Sequence, residues 1–187
     1  PVVIIMLVLR VPLYFWSLFL GRSAQFRSSA LLYLLLLSCI CTAILNLGVR
    51  SVYMSDDTFS ICSWNVRGLG DDAKCSDVLS EPISIKPHVA LLQESKLDAF
   101  SDPKLRSFMP TQLDQVFSLP AVGTAGGTIS AVNTASFQVI SFSHLTFSST
   151  MILRSTASDR NIAITNIYAP SSRALKQSFF DELLATH

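Results

Sequence analysis

The spacing of apolar positions predicts an α/β domain from Phe59 onward. A short β-favouring run, FSICSW, precedes the glycine-rich turn NVRGLGDD. The stretch that follows, DAKCSDVLSEPISI, has helical spacing, and we expect this helix to kink or end at Pro82. Next, HVALLQE is a continuous apolar run of strand length, which is typical of a strand buried on both faces. We therefore expect HVALLQE at the centre of a sheet.

The later part of the domain is predicted to be mainly β-structure. A short helix is expected around Asp102 to Phe108, followed by the strand QVFSLP and the glycine-rich turn VGTAGG. Three further β-favouring runs, TISAVN, FQVISFS and LTFSSTMIL, are predicted to be antiparallel neighbours. SDRN is a predicted turn before the strand NIAITNIYAP, and Ser171 or Ser172 can cap a final helix, ALKQSFFDELLA.

Residues 1–50 have a different pattern. The run Ser28 to Val49 contains no charged side chain and has the length that a helix needs to cross a bilayer. A second apolar run, Val2 to Leu20, is a weaker span because Arg10 and Pro12 interrupt it. We therefore predict a hydrophobic N-terminal segment of apolar helices over 1–50, a linker over 51–58 and the α/β domain over 59–187.

Two interpretations of this N-terminal segment stay open. It is either a signal anchor with Arg22 and Arg27 on its cytoplasmic side, or a stretch that is no biological part of the domain, since the chain begins at Pro1. A cleaved signal peptide fits less well, because its apolar region spans only about 7–15 residues after a short basic start. If the segment is a signal anchor, we expect a membrane protein; otherwise the localisation is not predicted.

Composition and charge narrow the class of protein. The chain has 187 residues, of which 50% are hydrophobic and only 14% charged, with a mean hydropathy of +0.45. These values exclude disorder as the main state. Four arginines and no acid give residues 1–50 a charge of +4, which leaves ten basic against thirteen acidic residues, or −3, in the remainder. Affinity for nucleic acid therefore cannot be argued from net charge. The four cysteines lack the spacing of a zinc site and are predicted to be buried and reduced: Cys39, Cys41, Cys62 and Cys75.

Three short strings place chemically useful side chains at predicted strand ends. In SWNVRGLG the amide of Asn65 lies where a strand gives way to a turn, and in LLQESK the carboxylate of Glu94 ends an apolar strand. In NIYAP the phenol of Tyr168 ends another strand before a proline-led turn. Taken alone, each is typical of ordinary structure: a turn amide, a surface acid and a packed ring. The order in which the three strings occur along one chain favours a functional interpretation instead.

That order resembles the endonuclease/exonuclease/phosphatase superfamily. The strings SWNVRGLG, LLQESK, AGGTISAVN and NIYAP are most similar to the endonuclease domain of plant LINE-type (non-LTR) retrotransposon polyproteins, over about Phe59 to Thr186. The resemblance implies a partial four-layered α/β sandwich, in which two β-sheets are flanked by helices, and Mg²⁺-dependent hydrolysis of DNA phosphodiesters. It also implies that Asn65 orients the phosphate or a metal-bound water, that Glu94 ligates Mg²⁺, and that Tyr168 contacts the scissile phosphate.

Two motifs of that family are absent from the sequence. Neither the G-D-x-N string, which supplies the water-activating aspartate, nor the later S-D-H string occurs, and His88, His144 and His187 are not placed to replace them. We therefore expect a C-terminally truncated domain of nuclear ancestry that binds Mg²⁺ poorly and is inactive. Two alternatives are a membrane-anchored binding module held by Ser28 to Val49, and a phospholipid head-group phosphatase of the same superfamily. No protein partner is inferred.

Overall fold

The computed structural model describes residues 3–9, 47–54, 57–122, 125–170 and 172–185, with side chains described from Phe59 onward. Nine strands and three α-helices form this part of the chain. The strands are β1 (Val3–Leu9), β2 (Leu47–Met54), β3 (Asp57–Asn65), β4 (Val89–Gln93), β5 (Gln115–Val122), β6 (Ala125–Val132), β7 (Phe137–His144), β8 (Ser148–Ser155) and β9 (Asn161–Tyr168). The helices are α1 (Asp72–Ile85), α2 (Asp102–Arg106) and α3 (Lys176–Ala185), and a 3₁₀ turn, Arg173–Leu175, precedes α3.

The strands form two sheets, which confirms the predicted α/β class. One sheet has the order β2-β3-β4-β6-β5 and the other the order β1-β9-β8-β7. The pairs β3–β4 and β1–β9 are parallel, and the other neighbours are antiparallel. All five residues of β4 are buried, as its unbroken apolar sequence predicts. The polar groups that follow β4 are therefore held at one end of a central strand.

Two apolar layers flank the five-stranded sheet. Alternate strand residues, such as Ile61 and Leu91, face the second sheet and pack against its side chains, including Ile164. The opposite face, including Leu92, packs with α1 and with residues around α2, including Phe108. Helix α1 and the residues around α2 thus cover one face of the five-stranded sheet, and the two sheets share an apolar layer, as a layered sandwich requires.

Helix α1 continues past Pro82, the position at which the sequence predicts a kink or an end. Its first turn is capped by the Asp71 side chain, which accepts a hydrogen bond of 2.9 Å from the Ala73 amide. The helix runs on to Ile85 instead of ending at Pro82. Burial of the proline ring, together with the bond of 2.8 Å that its carbonyl accepts from the Lys86 amide, stabilises this last turn.

Of the segment predicted to contain apolar helices, the structure describes two short parts, and both belong to strands: Val3–Leu9 and the beginning of Leu47–Met54. Val3–Leu9 is a strand that pairs with β9, and a seven-residue run rich in valine, isoleucine and leucine suits that role. Of the predicted membrane span, residues 28–46 lie outside the described residues and 47–49 begin β2. Residues expected to form a linker, 51–58, lie partly in β2 and β3. Among the described residues, no helix has the length and hydropathy that a membrane crossing requires.

Candidate functional site

Asn65 and Glu94 lie side by side at the carboxyl ends of two adjacent parallel strands. Asn65 is the last residue of β3 and is the pairing partner of Gln93, the last residue of β4. The pairing extends one step further, since the Val66 amide donates to the Gln93 carbonyl at 2.9 Å. Glu94 follows directly. Both residues are largely buried, with Asn65 5% and Glu94 9% exposed as whole residues.

The Asn65 amide is only partly used by the turn that follows it. Its Oδ1 accepts a hydrogen bond of 3.2 Å from the Arg67 amide, an arrangement typical of asparagine at a turn. Its Nδ2 is buried and has no hydrogen-bond partner among the described residues. A buried donor without a partner is unfavourable. The turn therefore accounts for the Oδ1 atom of Asn65 and leaves the Nδ2 group for another role.

The Glu94 carboxylate has a basic neighbour. Lys96 Nζ lies 3.9 Å from Glu94 Oε1, and the two side chains are 42% and 12% exposed. The Lys96 aliphatic chain lies over Gly68, where an added Cβ would be 3.3 Å from Lys96 Cδ. An ion pair this long and this exposed contributes little to stability. The Lys96 ammonium group nevertheless places a positive charge beside the strand ends.

Left-handed backbone conformations are concentrated at this end of the sheet. Among the described residues, three of the five non-glycine positions with positive φ lie there: Arg67 (57°), Glu94 (59°) and Lys96 (56°). Three glycines of positive φ lie there as well: Gly68, Gly126 and Gly127. For the three non-glycine residues such conformations cost energy, and they persist where the surrounding structure holds them, often at functional sites.

Tyr168 reaches the same end from the second sheet. The Gly126 carbonyl accepts a hydrogen bond of 3.1 Å from the Lys96 amide, and the Gly127 carbonyl accepts one of 2.9 Å from the Ser95 amide. The Tyr168 ring lies against Gly126, because a Cβ added there would be 3.9 Å from Tyr168 Cε1. The Tyr168 ring thus lies at the same end of the sandwich as Asn65 and Glu94.

A buried polar network links the two sheets directly beneath these residues. Gln93 Nε2 donates to Asn166 Oδ1 at 2.6 Å, and Asn166 Nδ2 donates to Ser130 Oγ at 3.1 Å. Gln93 Nε2 also lies 3.2 Å from Ser63 Oγ. Sequence reasoning missed this network, although a signal was present: Gln93 is a polar residue inside a run predicted to be a buried strand, and Asn166 lies inside another predicted strand.

The side chains at this end suit a hard cation only in part. Among the described residues, no three histidine, cysteine, aspartate or glutamate side chains come together as a metal site. Mg²⁺ is often held by one or two carboxylates together with substrate phosphate and water, and Glu94 beside the Asn65 amide fits the protein share of such a set. His88 lies at the other end of β4, where its Nδ1 accepts a hydrogen bond of 3.1 Å from the Ser60 amide.

Comparison with solved structures gives several similar folds. The AP endonuclease LMAP from Leishmania major is 19% identical with a TM-score of 0.46, over 71% of this chain and 44% of that one. Humanized D. rerio TDP2 is 20% identical with a TM-score of 0.49, over 68% and 54%. The catalytic domain of Xenopus laevis APE2 is 14% identical with a TM-score of 0.46, over 67% and 52%.

These three proteins belong to the endonuclease/exonuclease/phosphatase superfamily. No protein-family model and no curated protein matches the sequence. The chain spans about half the length of the solved structures to which it is similar.

Proposed function

We propose that the end of the sandwich formed by Asn65, Glu94 and Tyr168 is the phosphate-binding part of a Mg²⁺-dependent phosphodiesterase site whose ancestral substrate is DNA. The adjacency of Asn65 and Glu94 at two parallel strand ends carries this proposal, because it places a neutral donor beside a carboxylate at a sheltered position. The four strings quoted above support an origin in a LINE-type retrotransposon.

Each residue has a distinct role in this proposal. Glu94 holds Mg²⁺ through carboxylate oxygen, and Asn65 donates through Nδ2 to a non-bridging phosphate oxygen. Tyr168 contacts the phosphate from the opposite sheet, and the Lys96 ammonium adds positive charge beside it. When bound, Mg²⁺ neutralises charge on the phosphate and favours deprotonation of a water molecule.

Binding is proposed without turnover. Hydrolysis needs a group that takes the proton from the attacking water, and the G-D-x-N string that supplies this aspartate in the superfamily does not occur in the 187 residues. The sequence also lacks the S-D-H string. The chain as it stands is therefore proposed to bind phosphate in the presence of Mg²⁺ and to leave DNA intact.

The first test is binding of inorganic phosphate by calorimetry, with and without Mg²⁺. We expect Mg²⁺ to strengthen phosphate binding in the unsubstituted chain and Glu94→Gln to abolish this gain. Glu81→Gln is the matched control, because Glu81 lies on α1 and takes no part in the site. Phosphate binding that is indifferent to Mg²⁺, or equal in Glu94→Gln, would refute the proposed site.

The second test is incubation of supercoiled plasmid with the chain and Mg²⁺. We expect no nicked product. Nicking that disappears in Glu94→Ala would show that the chain is active and would overturn the part of the proposal that concerns turnover. Release of phosphate from a phosphoinositide without nicking would instead favour the lipid-phosphatase alternative.

A further inference from the structure

Thr128 lies in one row with Asn65 and Gln93 across three neighbouring strands. Gln93 of β4 pairs with Asn65 of β3 on one side and with Thr128 of β6 on the other. Directly paired residues point to the same face of a sheet. The next residues on the same face of these three strands, two positions away in the sequence, are Ser63, Leu91 and Ser130. Leu91 packs in the layer between the sheets. The row therefore faces that layer, at its polar end.

Each side chain of this row has a buried polar atom without a hydrogen-bond partner in the part of the chain that the structure describes. The atoms are Asn65 Nδ2, Gln93 Oε1 and Thr128 Oγ1, and the residues are 5%, 0% and 6% exposed. Among the described strand residues, the other buried side-chain nitrogen and oxygen atoms have hydrogen-bond partners; Thr150 and Thr165, for example, share a hydrogen bond of 3.0 Å. Three partnerless atoms in one row indicate a place for a polar ligand.

The orientation of Gln93 limits the chemistry of that ligand. Its Nε2 donates to Asn166 Oδ1, so its Oε1 is fixed on the other side as an acceptor. Asn65 Nδ2 is a donor, and the Thr128 hydroxyl can donate. Donors on either side of one acceptor suit an oxyanion that arrives with a water molecule: different oxygens of the anion meet the two donors, and the water donates to Gln93.

Thr128 also lies close to the other residues of the proposed site. It directly follows Gly127, whose carbonyl accepts from the Ser95 amide next to Glu94. One residue earlier, Gly126 lies against the Tyr168 ring. Thr128 therefore lies beside β4, which precedes Glu94, and two residues from the glycine that contacts the Tyr168 ring, in the region proposed above for the phosphate.

We propose that Thr128 is a further phosphate-binding residue, whose hydroxyl and Asn65 Nδ2 donate to the bound phosphate while Gln93 Oε1 holds its water. This inference rests on the proposed function, since the phosphate is that of the same site. It adds a ligand-binding group that the short strings did not single out.

The test compares Thr128→Val, Thr128→Ser and the control Thr150→Val for thermal stability and for affinity towards inorganic phosphate with Mg²⁺. Valine keeps the shape of threonine and removes an unsatisfied hydroxyl, so Thr128→Val should raise Tm by about 2–4 °C. The same change should weaken phosphate binding by about tenfold, because a donor to a charged group is lost. Thr128→Ser should bind within about twofold of the unsubstituted chain, since the hydroxyl is kept.

Thr150→Val should give the opposite pattern, a lower Tm with unchanged phosphate affinity, because it leaves Thr165 without its partner. A fall of Tm in Thr128→Val would show that this hydroxyl has an interior partner and would overturn the inference. Unchanged phosphate affinity in Thr128→Val would overturn it too, while the proposed function stands. If the unsubstituted chain binds no phosphate, both fall together.

Discussion

Gly127 shows how a single residue holds the strand ends in place. Its φ of +80° lies in the left-handed region, and a Cβ added to it would collide with the Ser95 hydroxyl. Gly127→Ala should therefore lower the free energy of unfolding by about 2–4 kcal/mol, measured by urea denaturation.

The control for this prediction is Gly70→Ala. Apart from its chain neighbours, no atom of the described residues lies within 4 Å of a Cβ added to Gly70, and the φ of Gly70 is not positive. Alanine there should be neutral or slightly stabilising, because it reduces the freedom of the unfolded chain. Equal losses at both positions would contradict the steric argument.

Cys62 gives a prediction about pH. Burial, and then the charge of Glu81, raise the pKa of this thiol from 9.0 to about 12. The unfolded chain loses the proton at the lower pH, so its ionisation favours unfolding between those two values. The free energy of unfolding should fall more between about pH 8 and about pH 11 in the unsubstituted chain than in Cys62→Ala, by about 2 kcal/mol. Parallel pH profiles would contradict a buried, protonated thiol.

At the scale of elements, Glu182 connects α3 to the turn between β7 and β8. Its carboxylate accepts hydrogen bonds from the Thr146 amide at 2.9 Å, the Phe147 amide at 3.0 Å and the Ser148 hydroxyl at 2.7 Å. Removing a charged acceptor from three donors should lower the free energy of unfolding of Glu182→Ala by about 2 kcal/mol. Amide exchange at Thr146 and Phe147 should become faster, which locates the effect.

Asp181→Ala is the matched control for this element. Asp181 precedes Glu182 on the same helix and is exposed, and its described hydrogen bond is an interaction within the helix with Gln177, at 2.8 Å. Its loss should cost less than about 0.5 kcal/mol. Exchange at Thr146 that rises equally in Asp181→Ala would show that helix stability, not the Glu182 contact, protects the turn.

At the scale of the whole molecule, Asn166 holds the two sheets in register. It accepts from Gln93 and donates towards Ser130 and the Ile129 carbonyl, all of which belong to the other sheet. Asn166→Ala should therefore lower the free energy of unfolding by about 3 kcal/mol, because it leaves buried partners unsatisfied. Thermal and urea unfolding measure this.

Asn161→Ala is the control, since Asn161 lies on the same strand. Its Oδ1 accepts an exposed hydrogen bond of 3.3 Å from Arg154 Nε, and we expect a loss below about 0.5 kcal/mol. A similar loss in both variants would mean that the link between the sheets adds nothing beyond an ordinary strand residue.

The sequence predicts those features that depend on local pattern. The burial of β4 follows from its unbroken apolar run, and the positions of Asn65, Glu94 and Tyr168 follow from where strands end. The strand over Val3–Leu9 could not be separated from a membrane helix, because an apolar run suits both until its pairing with β9 is known. The alignment of Thr128 with Asn65 depends on strand register, which no single string specifies.

The positions of β1 and β2 bear on any shortened version of this protein. Both come from the first 54 residues, and each is an edge strand: β1 lies beside β9 in the four-stranded sheet, and β2 lies beside β3 in the five-stranded sheet. Trimming the chain to begin at Phe59 would remove both edge strands and leave unpaired backbone amides and carbonyls along β3 and β9. Such a fragment should self-associate by strand addition, so that its solubility, rather than its chemistry, would be the first property to fail.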